Sequence, residues 1–159
     1  MKYTVEALEK DNQIDRQHLL ECVLKDASEN VDADLVSYWM FNDDQSAIQC
    51  QLAYNALDQK FHNDGELKRE SYPNYFKAIM TEKTLRANHV ETHPSTTELF
   101  DDYFKPNGIK SLFDFIIERK DVHLGVICCE SREKVREWSD EDVNYMRSLT
   151  TLTSYLLIE

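Results

Sequence analysis

Two apolar runs joined by one charged turn dominate the C-terminal half of the chain. Ser111-Leu-Phe-Asp-Phe-Ile-Ile117 is followed by Glu118 to Asp121, and then by Leu124-Gly-Val-Ile-Cys-Cys-Glu130. Runs of this length, rich in β-branched and aromatic residues and bounded by polar ones, predict two antiparallel strands. A polar connection and Trp138-Ser-Asp-Glu-Asp142 come next. Ser139 with an acid three residues later is a capping-box-like helix start. Val143, Met146, Leu149, Leu152, Leu156 and Leu157 supply the apolar stripe of that terminal helix. A hairpin followed directly by an amphipathic helix must fold with the helix laid on one face of a sheet.

Composition narrows the class. A chain of 159 residues with 42% hydrophobic content is long enough for one domain with a real core. The net charge of -12 argues against nonspecific binding to nucleic acid or to an anionic membrane. No apolar stretch approaches the roughly 20 residues that span a bilayer, and residues Met1 to Lys10 lack the apolar centre of a signal peptide. A cytoplasmic protein with no membrane contact is expected. Cys22, Cys50, Cys128 and Cys129 show no CxxC spacing, so they read as small buried residues rather than a disulfide framework. Cys128 and Cys129 should point to opposite faces of their strand.

Elsewhere the signals alternate between helix and strand. Residues 1–30 predict a long N-terminal helix, periodic from Asp11 to Asn30 and starting near Val5. Asp34 to Phe41 and Ala47 to Tyr54 flank a polar turn and predict a hairpin. Asn55 to Ser71 is a connection with room for a short strand. Pro73 opens a helix through Glu82 that buries Tyr75, Phe76 and Ile79. Thr84 to Ala87 is a short strand, Asn88 to Thr96 a loop, and Thr97 to Phe104 a short helix. The expected fold is therefore α+β: an antiparallel sheet of about five to six strands within a single domain, 1–159.

The chemistry is sparse. Three glycines leave no GxxxxGK[ST], GxGxxG or GxSxG pattern. His89 and His93 have helical metal-ligand spacing, but Pro94 places them in a loop and no metal site is expected. The notable residue is Asp114, an acid inside an apolar strand. Alternation puts Phe113, Phe115 and Ile117 on one face, suited to the terminal helices, and Leu112, Asp114 and Ile116 on the other. Val126, Cys128 and Glu130 share a face of the next strand by the same period. The turn length is ambiguous by one residue, and a one-residue slip reverses the faces. If both sets meet, Asp114 and Glu130 approach each other, which raises a pKa or calls for a cation or hydrogen-bond donors.

The order of strand, hairpin, strand, Trp-Ser cap and helix resembles the C-terminal half of a GAF domain. The resemblance extends over nearly the whole chain, best at Asp34 to Phe41, Tyr103 to Ile117, and Leu124 to Leu157. It is similar to the GAF modules of bacterial sensor histidine kinases and diguanylate cyclases. The resemblance implies long terminal helices on one face, and short helices with a small-molecule site on the other. It also implies a homodimer through the terminal helices, with helix 139–159 leading to an output domain. Trp39, Leu112, Asp114, Cys128 and Glu130 then fall on the ligand-facing side. Tyr103 matches the bilin-binding branch, but Leu99 and Phe100 stand where that branch carries its Cys-His pair. The resemblance therefore implies neither covalent bilin nor an axial haem ligand, and the cofactor is unknown.

These expectations combine into one site: a pocket walled by Trp39, Phe76, Phe100, Tyr103 and Leu112, with Cys128 on the same side and Asp114 and Glu130 as its polar groups. It would favour an amine- or amide-bearing ligand over an anionic nucleotide. The plainer alternative has Asp114 capping loop amides, Glu130 at a solvated strand end and the aromatics filling core. The resemblance to GAF domains implies one of three functions: a sensory or regulatory module without catalysis, a dimerisation or spacer module, or a methionine sulfoxide reductase-type enzyme. Ile14, Leu24, Leu149 and Leu156 are the candidate dimer stripe.

Overall fold

Asp15 sets the start of the main N-terminal helix. Its side chain accepts from the Gln17 N–H at 3.4 Å, so the helix begins at Arg16. The computed structural model describes residues 1–10 and 15–156, the last of these by its backbone alone. Within it the single helix expected over residues 1–30 is two, α1 (Lys2–Lys10) and α2 (Arg16–Val31). Ile14, Leu157 and the side chain of Leu156 lie outside the described residues.

The sheet contains β1 (Leu35–Phe41), β2 (Ala47–Asn55), β3 (Lys60–His62), β4 (Glu66–Lys68), β5 (Thr84–Ala87), β6 (Ile109–Arg119) and β7 (Val122–Arg132). Their order is β3-β2-β1-β7-β6-β5, with β4 also paired to β2, and every pairing is antiparallel. The chain is thus α+β, as expected, with one more short strand. The β6–β7 turn is two residues long, Lys120 and Asp121, at φ 52° and 63°. Two positive φ values in a two-residue loop twist the strands compatibly. This turn fixes the register, pairing Asp114 with Cys128 and Leu112 with Glu130.

Register then decides the faces. Val36, Tyr38, Phe113, Phe115, Ile117, Ile127 and Cys129 form one core with α2 and with α4 (Asp140–Leu156). Trp39, Phe41, Leu112, Ile116, Val126 and Cys128 form a second core with α3 (Pro73–Glu82) and the short helical turn 97–104. Cys128 and Cys129 do face opposite ways. On β2 the alternation reverses midway: Ile48 and Cys50 join the second core, Leu52 and Tyr54 the first. Gln51 is the extra residue, since Trp39 pairs with Cys50 and Tyr38 with Leu52. Gly125 lets β7 approach β1: a Cβ there would lie 2.3 Å from the Trp39 carbonyl oxygen.

The start of α4 is a reciprocal capping box. The Ser139 N–H donates to Asp142 Oδ2 at 2.9 Å, and the Asp142 N–H to Ser139 Oγ at 3.1 Å. Trp138, just before it, stacks on Phe113 with ring centroids 5.2 Å apart. Leu24 and Leu149 have no exposed surface. They pack inside their own chain and cannot form a second stripe for a dimer; the faces of α2 and α4 that carry them are already used. No helix among the described residues is long and apolar enough to cross a membrane.

Candidate functional site

Pro73 starts α3 and the helical period turns Tyr75, Phe76 and Ile79 inward. The turn 97–104 runs beside it, tied by Glu98, whose Oε1 accepts the Tyr75 N–H at 2.7 Å. Together these elements roof the second core. Beneath them lies a cavity of about 10 Å³. Trp39, Ile48, Leu67, Leu112, Asp114 and Cys128 line it from the sheet, while Tyr75, Leu99, Tyr103 and Phe104 close it from above. Such a volume is on the order of one water. The site is therefore filled by its own side chains.

The polar groups are an acid pair held by two phenols. Asp114 is fully buried and its Oδ2 accepts a hydrogen bond from the Tyr75 hydroxyl. Glu130 is 1% exposed and its Oε1 accepts from the Tyr103 hydroxyl at 3.1 Å. Asp114 Oδ1 and Glu130 Oε2 have no hydrogen-bond partner. The other buried unpartnered side-chain atoms among the described residues, Tyr38 Oη, Arg132 Nε and Trp138 Nε1, belong to no acid. Burial pushes Asp114 up to about 7, against the opposing pull of the Cys128 thiol and the Tyr75 hydroxyl. Burial and then the nearby Asp114 push Glu130 up to about 7 as well. Burial and the same carboxylates raise Tyr75, Tyr103 and Cys128, so the two phenols remain donors and the thiol stays protonated.

The expected site residues separate into three groups. Trp39, Tyr103, Leu112, Asp114 and Cys128 are brought together around the cavity. Glu130 joins them through Tyr103. Phe76 and Phe100 do not line it. Phe76 is fully buried core, edge-on to Phe41 and to Tyr75. Phe100 is half-buried and borders a separate groove with His89 and Glu133. On a helical element the neighbour of an inward residue points about 100° away, so Tyr75 and Leu99 take the places expected of Phe76 and Phe100. Tyr75 had a legible signal: a buried phenol needs an acceptor, and Asp114 is an unmatched acid in an apolar strand. Of the plainer alternative, the core-filling aromatics are found, but Asp114 caps no loop amide and Glu130 is not solvated.

His89 and His93 lie in the 88–96 loop, and His93 Nδ1 accepts the Ser95 N–H at 3.1 Å. No group of three or more His, Cys, Asp or Glu among the described residues is placed to hold a metal ion. A wider, open groove of about 510 Å³ lies at the far end of β6, between Lys83, Lys120 and the Arg147–Tyr155 part of α4. It contains none of the cavity's acids.

Comparison with known proteins places this architecture. The GAF domain family model matches residues 15–157. The blue-light absorbing form of the Thermosynechococcus elongatus PixJ GAF domain superposes with a TM-score of 0.75 at 13% identity, covering 89% of this chain and 84% of that one. The GAF domain of an Acinetobacter phosphoenolpyruvate-protein phosphotransferase gives 0.73 at 9% identity, covering 98% and 90%. The chromophore binding domain of Stigmatella aurantiaca phytochrome P1 gives 0.74 at 12% identity, covering 99% of this chain and 59% of that one. At these identities the likeness shows the fold alone. No curated protein sequence matches the chain.

Proposed function

This chain belongs to the GAF domain family, and from that premise we propose that it is a sensory or regulatory domain whose small-molecule site is the closed cavity over Asp114. One observation carries this reading: two buried carboxyl groups each keep one oxygen without a hydrogen-bond partner, beneath α3 and the turn 97–104 that roof the sheet. An unsatisfied buried acceptor costs about 1–3 kcal/mol, and a chain selected only for packing has no use for two.

The route outward is one strand wide. Leu112 and Asp114 face the cavity, and Phe113 between them stacks on Trp138 at the head of α4. Arg136 lies over the same indole, 5.3 Å from its centroid, and reaches Asp142 Oδ2 at 3.1 Å. A ligand that shifts β6 would therefore shift the cap of α4, and α4 would pass the change to a linked or partner output domain. Catalysis is not assigned. All four cysteines are buried, which speaks against the sulfoxide reductase chemistry that exposed thiols would support.

The test is native mass spectrometry of the protein purified from its own host. An adduct of a few hundred daltons, depleted in Asp114→Asn, is the expected result. A bare protein, with no adduct in either form, would sink the sensor reading. A second reading, a dimerisation or spacer module, is favoured by the small volume of the cavity. It predicts a bare dimer by light scattering, built on surfaces other than Leu24 and Leu149.

A further inference from the structure

Resting on the assignment of the cavity as a ligand site, we propose that its ligand is a small organic cation that inserts a primary ammonium head between Asp114 and Glu130. The two acids come from adjacent strands of the β6–β7 hairpin. Asp114 pairs with Cys128, and Glu130 with Leu112, so the carboxyl-bearing residues are diagonal neighbours on one face. Diagonal positions are about 7–8 Å apart at the backbone, a span that long side chains bridge. Each carboxyl group has one oxygen taken by a tyrosine and one without a hydrogen-bond partner, and the Cys128 thiol, a weak donor, lies beside both. What is missing is a strong donor for each of the two unpartnered oxygens, and a positive charge beside the pair.

The chemistry selects among ligands. An anionic group would join two acids in a buried space where the charge of Arg132 is the weakest of the influences on Glu130 and forms no described ion pair with it. A neutral amide supplies two N–H donors and no charge. An ammonium supplies three donors and neutralises one carboxylate, which answers the cost of burying it. The head also fits: the free space beside Asp114, Cys128 and Tyr103 is about 10 Å³, close to one water-sized group, and Glu130 reaches its wall through the Tyr103 hydroxyl. Trp39, Tyr75 and Tyr103 surround it with aromatic rings, which attract cations. The body of the ligand would leave between Leu67 and Tyr103, both half-buried and both carried on short elements.

Titration calorimetry and thermal melts at pH 8, with butylammonium, butan-1-ol and butanoate at matched ionic strength, test the assignment. Butylammonium is expected to bind once per chain and raise Tm; the alcohol and the carboxylate are not. Asp114→Asn and Glu130→Gln should each weaken butylammonium about tenfold or more, the usual loss when a charged hydrogen-bond partner is neutralised. Should either variant fail to fold by circular dichroism, Tyr103→Phe replaces it. That change keeps both acids and frees Glu130 Oε1, so butylammonium binding should be retained or tightened. The proposal is overturned if butan-1-ol or butanoate binds as well as butylammonium. It is overturned equally if neither acid substitution matters, or if butylammonium does not bind. In the last case a host-derived adduct lacking a basic nitrogen would leave the sensor reading standing, whereas no adduct would remove both.

Discussion

Asp26 and the Asp114–Glu130 pair are all buried acids, on opposite sides of one sheet, and they are built differently. Asp26 sits on α2 and is 1% exposed. It accepts the Tyr3 N–H at 2.9 Å, the Thr4 N–H at 2.8 Å and the Thr4 hydroxyl at 2.6 Å, with the Met1 ammonium at 3.8 Å. It thereby caps the first turn of α1, where free N–H groups and the helix dipole both favour an anion. Both its oxygens are used. Across the sheet, Asp114 and Glu130 each have one oxygen used and one bare. On the helix side Asp26 is completed from within the chain, although Tyr38 Oη and Trp138 Nε1 stay unpartnered in the same core; on the roofed side both acids keep an incomplete set of donors. That difference, more than burial itself, separates Asp26, an acid that holds structure, from the pair to which we assign the ligand site.

Substitutions on the two sides sharpen the contrast, and the largest effect belongs to the helix side. Leu24→Ala empties a fully buried position between α2 and the sheet, and a loss of about 4 kcal/mol in urea melts is expected. Asp26→Ala should cost about 3 kcal/mol by orphaning the α1 donors. Its signature is lost hydrogen-exchange protection in α1 alone, and retained protection would break the comparison. Leu99→Ala, equally buried but under the short roof, should cost only about 2 kcal/mol, because the turn 97–104 can settle into the space.

The smallest effect has the opposite sign. Glu130→Gln is expected to stabilise the protein by about 1 kcal/mol at pH 8, since it removes a buried charge that lacks a full set of donors. The pH dependence follows. Both acids stand near 7 in the fold, against about 4 when unfolded. Between those values the native state holds more protons, so the pair's contribution to stability falls as pH rises from about 4 to about 7 and is level above. Glu130→Gln should shallow that fall in urea melts at pH 5 and pH 8. An unchanged slope would show that the pair does not share a buried environment.

Much of the fold was legible because it rests on local chemistry. The period of the two C-terminal strands, Pro73 at the first turn of α3, and Ser139 with Asp142 at the head of α4 all act within a few residues. Each gave an element that the structure contains. The division of the N-terminal helix was not read, although Asp15 carries the cap that starts α2. The site was half legible. Alternation put Leu112 with Asp114 on one face of its strand and Cys128 with Glu130 on one face of the next, but helical rotation put Tyr75 and Leu99, not Phe76 and Phe100, over them. A helix seen from sequence has an inward face about two residues wide, and only the packing partner selects between neighbours.

By itself, then, the order of apolar periods determined an antiparallel sheet covered by helices, and the acid at 114 marked where that pattern was broken. Tertiary structure decided the rest. The two-residue turn at Lys120 and Asp121 fixed the register, and so made Asp114 and Glu130 neighbours rather than residues on opposite faces. The extra residue at Gln51 set which half of β2 joins each core. The approach of α3 and the turn 97–104 supplied a tyrosine for each acid and left two oxygens bare. These outcomes depend on a single residue of register or a fraction of a helical turn, quantities that are settled only when distant segments pack together.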